Sequence, residues 1–188
     1  MSKASDTGPR IAPGKPSEIG LTNALIARVI GLASGGKSPH VFTTLARHRG
    51  LFRRWLVFAS GLMPGGMLKR AETELVILYV ARLMRCEYEW DHHARLGKKA
   101  GVSDEAIERI RQEEIDSARW SPREHALLNA CRELHEHREI REEAWRELAA
   151  QASEAEIIEL CLLVGHYQML AMTLNTLRVP LDDAPARD

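Results

Sequence analysis

The segment Cys86-Glu87-Tyr88-Glu89-Trp90-Asp91-His92-His93 is the densest group of reactive side chains in the chain. An α-helix turns by about 100° per residue, so on a helix Cys86, Glu89 and His93 fall within an arc of roughly 60°. A thiol, a carboxylate and an imidazole would then share one small volume. These are the parts for moving a proton to or from a substrate, or for activating a thiolate. If Cys86 sits in the first turn, the helix dipole favours its ionised form. A plainer reading stands beside this one. Charged and histidine side chains on a helix are commonly a solvated face, and a single cysteine is commonly a small core residue.

Other residues have chemistry to offer and also have ordinary explanations. Glu89-x-x-His92 matches half of a di-iron carboxylate motif, but such sites need a second Glu-x-x-His, and the sequence holds none. No metal site is expected. His166 and Tyr167 interrupt an apolar C-terminal stretch, with Glu159 on the same helical face as His166. Either they are satisfied core residues or they line a substrate pocket. Arg70, Arg82 and Arg85 are placed either to neutralise an anionic substrate or to pair with nearby glutamates. The candidate substrate-binding residues are therefore His166, Tyr167 and Arg82. Tyr88 and Trp90 flank the motif and suit packing better than catalysis. The run His135-Glu136-His137-Arg138-Glu139 reads as a solvated helix end.

Helices must position these groups. Residues 1–17, with Gly8, Pro9, Pro13, Gly14 and Pro16, read as a flexible or surface-wrapping arm; residues 18–188 read as a single helical domain. Leu21, Leu25, Ile26, Val29, Ile30 and Leu32 form a helical stripe that stops at Gly35-Gly36. Ser38-Pro39 is an N-cap pattern with proline at the first helical position. It opens a segment carrying Phe42, Leu45, Leu51, Trp55, Phe58 and Leu62, ended by Pro64-Gly65-Gly66. A largely buried helix follows from Met67 to about Met84, then another from Glu87 to Ala100, stopped by Gly101. Ser103 is an N-cap, and Ser121-Pro122-Arg123-Glu124 and Ser153-Glu154-Ala155-Glu156 are capping boxes. The last helix, to about Arg178, is apolar on most sides, as a core helix or a subunit contact would be.

Composition narrows the function. Hydrophobic residues are 45 % of the 188, as in an ordinary globular domain. Lys+Arg and Asp+Glu both total 26, so the basic excess of a nucleic-acid binder is absent. The cysteines are three, Cys86, Cys131 and Cys161, at long spacings. That is neither a secreted disulfide framework nor a zinc pattern, and it points to a reducing cytoplasm. The polar, proline-punctuated start does not resemble a signal peptide, and the apolar run Leu75 to Met84 is too short to span a bilayer.

The stretch RAETELVILYVARLMRCEYEWDHHARLGKKAGVSDEAI, Arg70 to Ile107, resembles the core of the carboxymuconolactone decarboxylase / AhpD-like superfamily. The shared features are a glutamate ahead of an apolar helix, a motif led by cysteine, a histidine, then Gly-Val-Ser with acidic residues. The flanking helices resemble a longer subgroup. The resemblance implies an all-α, AhpD-like helical bundle that assembles as a trimer or hexamer, with a small-molecule substrate. It implies catalytic roles for Glu74, Cys86 and His93. AhpD-like peroxidases carry Cys-x-x-Cys, and here Glu89 takes the second cysteine position, so that pair cannot close a redox disulfide. The decarboxylases carry a glutamate four residues before the histidine, as Glu89 stands to His93, and lack the cysteine.

Three readings follow. The first is a lyase or isomerase in which Glu89 and His93 move a proton on a cyclic or keto organic acid, assisted by Cys86 and Glu74; it demands no cofactor. The second is a thiol peroxidase using Cys86, with Cys131 or Cys161 as a resolving thiol only if folding brings one near. The third is a non-catalytic oligomeric helical module. Glu74 raises a geometric question, since it lies twelve residues before Cys86, about 18 Å along an unbroken helix. It reaches the motif only if the chain folds back near Met84-Arg85.

Overall fold

A computed structural model describes residues 8–33, 38–116 and 118–182 and shows an all-α fold, with ten helices and no strand among them. In chain order they are α1 (Pro16–Ile19), α2 (Leu21–Ala33), α3 (His40–Leu45), α4 (Arg49–Leu62), α5 (Arg70–Leu83), α6 (Glu87–Lys99), α7 (Asp104–Arg111), α8 (Pro122–His137), α9 (Glu142–Ala149) and α10 (Glu154–Leu177). The chain divides into two compact units, Met1–Phe58 with Thr173–Asp188, and Ala59–Met172.

In the first unit, buried Ile19, Ala46 and Phe52 form a core, with Phe42 and Trp55 packed against it. The three aromatic rings lie 6.0–6.4 Å apart. Residues 1–7 of the expected arm, and the expected stop at Gly35-Gly36, lie outside the described residues. The chain before α1 runs along this unit. Gly14 N donates to Thr43 O at 3.1 Å and Arg47 Nε donates to Ala12 O at 2.8 Å. A Cβ on Gly14 would stand 2.3 Å from Ile19 Cγ2, so the close approach requires glycine.

Two boundaries in this unit differ from expectation. Pro39 is the N-cap of α3, not its first helical residue. The segment from Phe42 to Leu62 is two helices, broken at 46–48. Leu51 N donates to His48 Nδ1 at 3.4 Å, so an imidazole starts α4 after a break, Ala46-Arg47-His48, that holds no serine, glycine or proline.

The second unit is built around α5, in which every residue from Glu72 to Ala81 is buried. Helices α6, α7 and α8 pack on α5, and α9 packs on α8. The three expected serine caps are present. Ser103 accepts from Ala106 N at 3.1 Å, and Ser121 and Ser153 form reciprocal pairs with Glu124 and Glu156. Helix α9 has no counterpart in the sequence reading. The backbone N and guanidinium of Arg141, its N-cap, donate to the Glu133 carboxylate at 2.6–3.2 Å. These bonds hold Glu133 well below the usual carboxylate range, at about 2.

Arg123 on α8 ties three helices by donating to Glu72 on α5 and to Glu156 on α10. Glu159 on α10 accepts from Met67 N at 2.5 Å and Leu68 N at 3.2 Å, which fixes the loop before α5. A side chain at Gly66 would meet Glu159 Oε1 at 2.3 Å, so glycine is needed for this latch. Helix α10 is long and apolar enough to cross a membrane by length and composition, and 56 % of that window is buried, as in a core helix.

Candidate active site

The site depends on the turn between α5 and α6. Met84 caps α5, Arg85 takes a left-handed φ of 50°, and Cys86 is the extended N-cap of α6. Arg85 N donates to Arg82 O at 3.1 Å and Cys86 N to Ala81 O at 2.9 Å, so the corner is closed by backbone bonds. A left-handed residue other than glycine costs roughly 1–2 kcal/mol. The chain turns here without glycine or proline, and α6 returns against α5.

That return brings Glu74 to His93. Glu74 Oε2 lies 2.7 Å from His93 Nδ1, and Glu89 Oε2 lies 3.3 Å from His93 Nε2. All three side chains are buried, at 0, 4 and 3 % exposure for Glu74, Glu89 and His93. The other oxygen of Glu74 pairs with Arg70 Nη2 at 2.5 Å. Burial works against a charged His93, but the hydrogen bonds and charges of Glu74 and Glu89 outweigh it and push the imidazole up to about 9. In its protonated form the ring directs one N–H at each carboxylate.

Tyr167 closes one side, its ring edge-on to His93 with centroids 5.1 Å apart. Its hydroxyl donates to Met63 Sδ at 3.9 Å. Burial, with Glu89 and Glu74 nearby, raises its phenol well above the ordinary range. His166 stands edge-on to Tyr167 at 5.2 Å, and burial lowers its basicity. Glu159, on the face suggested by its spacing from His166, is turned to the 67–68 backbone and takes no part.

Cys86 is the N-cap of α6, immediately before the helix expected from Glu87, so helical spacing relates Glu89 and His93 strictly and Cys86 only by its place at the helix start. Burial pushes its thiol up to about 12, although the backbone N–H groups of Glu89 and Tyr88 favour the thiolate. The thiol borders a cavity of about 270 Å³, together with Arg82, Arg85, Glu87, Trp90 and Arg111. Arg82 donates to Arg111 O at 2.8 Å and pairs with Glu113 at 2.9 Å; Arg111 lies over the Trp90 ring at 4.5 Å. Of the predicted site residues only Cys86 and Arg82 border this cavity; Glu74, Glu89, His93, His166 and Tyr167 do not. Arg111 and Glu87 were not singled out from sequence, since Arg111 arrives from α7 and carries no local signal. All three cysteines are free thiols, with Cys131 buried on α8 and Cys161 exposed on α10.

Comparison with known proteins agrees with this architecture. The carboxymuconolactone decarboxylase family matches residues 49–133. An uncharacterized peroxidase-related protein from Silicibacter sp. TM1040 superposes with a TM-score of 0.82 at 14 % identity, covering 97 % of this chain and 96 % of that one. An uncharacterized peroxidase-related protein with an alkylhydroperoxidase AhpD core, from Ralstonia eutropha JMP134, gives a TM-score of 0.80 at 17 % identity, covering 92 % and 93 %. The debrominase Bmp8 gives 0.73 at 14 % identity, covering 98 % and 96 %. No curated protein matches significantly in sequence. The turn that joins Glu74 to His93 lies inside the matched segment, which is similar to the carboxymuconolactone decarboxylase family and folds as the AhpD-like all-α structures do.

Proposed function

We propose that the chain is a small-molecule enzyme that moves a proton to or from carbon on a cyclic or keto organic acid, as a lyase or isomerase. The observation that carries this reading is one imidazole held between two buried carboxylates, His93 between Glu74 and Glu89. An imidazolium that already donates from both nitrogens has no lone pair with which to accept a proton. The acceptor is therefore Glu89, and His93 is the neighbouring cation that stabilises its charge and shares its proton. Glu74 orients the ring. A conjugated acid or lactone delocalises the electron pair left on carbon, so these side chains suffice for the step.

The cavity at Cys86, which Glu89 and His93 do not line, is proposed to hold the carboxylate end of the acid. Arg82, Arg85 and Arg111 line it with Trp90, a setting suited to a flat anion, with Arg82 meeting the carboxylate. Bmp8, solved as a cysteine-to-alanine variant with 2,3,4-tribromopyrrole, is a fold neighbour that takes a small ring. A reducing cytoplasm fits the three free thiols.

A thiol peroxidase is the second reading, supported by the AhpD-like neighbours. It needs a thiolate, and burial holds Cys86 as a neutral thiol. A substrate screen comparing wild type with Cys86→Ser and His93→Ala separates the two. Proton exchange or decarboxylation of an organic acid is expected to be lost in His93→Ala and to survive, reduced, in Cys86→Ser. Peroxide turnover abolished by the cysteine change and by nothing else would select the peroxidase.

Self-association belongs to the same proposal. Leu21, Leu25, Val29 and Leu32 on α2 are 58–83 % exposed, and Ile158, Leu162, Met169 and Met172 on α10 are 45–62 % exposed. Two rows of large apolar side chains in water favour burial against another subunit. Sedimentation is expected to show a trimer or hexamer at micromolar concentration; a monomer at that concentration overturns the assembly.

A further inference from the structure

The charge of Glu74 is divided between two cations. One oxygen lies 2.7 Å from His93 Nδ1 and the other 2.5 Å from Arg70 Nη2. The pair differs in burial, for His93 is 3 % exposed and the Arg70 side chain 40 % exposed. Arg70 is thus the point at which a sealed relay touches solvent.

Arg70 is poorly placed to serve its own helix. It is the first residue of α5, where the positive end of the helix dipole disfavours a cation. Its partner lies four residues on, and arginine before glutamate is the weaker order for a helical pair. The favourable effect of Arg70 lies instead at Glu74. Arg70 adds a second cationic side chain to a buried group of two carboxyl groups and one imidazole.

We propose that Arg70 is a positioning residue that draws off part of the charge of Glu74 and so keeps the proton of His93 labile enough to be shared with Glu89. This rests on the acid–base reading of the site given above. Two full carboxylates on one buried imidazole would hold its proton too tightly for transfer, because the proton affinity of a relay group has to match that of its partner. Arg70 moderates one of the two. The other groups facing His93 are Glu89 and His92 on α6 and Tyr167 on α10, with His166 beyond it.

The test reads His93 directly. Imidazole nitrogen NMR of full-length wild type, Arg70→Gln and Arg70→Lys is followed across pH, with no substrate present. Deprotonation of His93 is expected to move up in pH by about one unit in Arg70→Gln and to return toward wild type in Arg70→Lys. In a turnover assay, Arg70→Gln should lower kcat and move the alkaline limb upward while KM stays near wild type. A loss of packing alone would expose the ring and move it the other way, toward the ordinary histidine range, in both variants. An unchanged or lowered His93 titration in Arg70→Gln, with circular dichroism and thermal melts like wild type, overturns the proposal. If Arg70→Gln fails to fold, Arg70→Lys decides. Its ammonium restores the charge without the planar fork, so a titration and kcat closer to wild type than those of Arg70→Ala support the proposal, and equality with Arg70→Ala refutes it. The NMR arm stands whether or not an organic acid proves to be the substrate.

Discussion

Glu89→Gln lowers kcat about 10²–10⁴-fold, the ordinary worth of a positioned acid–base group, with KM changed little. The amide keeps the volume of the side chain and its oxygen still accepts from His93 Nε2, 3.3 Å from the carboxylate it replaces. What it loses is the capacity to hold a transferred proton. His93→Gln should cost a comparable factor, and the double variant little more than either single one, because the two groups act as a unit. Steady-state kinetics on the substrate found in the screen, with circular dichroism to show that the fold is retained, measures this. Factors that multiply in the double variant would mean that Glu89 and His93 act independently, contrary to a shared proton. Arg82→Ala, which alters the cavity and not the relay, provides the contrast: its effect should fall on KM.

The separation of relay from cavity was only half legible in the sequence. Glu89 and His93 are four residues apart on one helix, and helical periodicity alone predicts their contact. The capping serines at 103, 121 and 153 are legible for a similar reason, since a cap is a local hydrogen bond between residues three apart. Glu74 is different. Its contact with His93 depends on a left-handed turn at Arg85, a residue type with no preference for that conformation, and only the family resemblance pointed to it. The break between α3 and α4 was hidden likewise, because an imidazole cap at His48 has no strong sequence signature. Cys86 is the N-cap just ahead of the helix expected from Glu87, and its thiol lies on the wall of the cavity, a placement that no spacing along the chain encodes. Arg111 reaches that cavity from another helix, a contact no local pattern encodes.

Glu74→Ala is expected to destabilise the protein by about 3–5 kcal/mol at neutral pH, as for removal of one partner from a buried ion pair. The loss exceeds that of an ordinary surface pair because Glu74 is fully buried, hydrogen-bonded to His93 and within ion-pair distance of Arg70. The same contacts make stability depend on pH. In the folded chain His93 is held at about 9, above its unfolded value of 6.5, so the folded state binds the proton more tightly. The stabilisation is fully present below pH 6.5 and is lost as pH rises through 9. Thermal melts of wild type should therefore fall in Tm as pH rises across that window. Glu74→Ala and His93→Gln should each flatten this slope. Glu74→Ala melting within a degree of wild type, or keeping the full alkaline slope, would show that the imidazole is not held by this carboxylate. The relay would then have no fixed orientation from which to share a proton with Glu89.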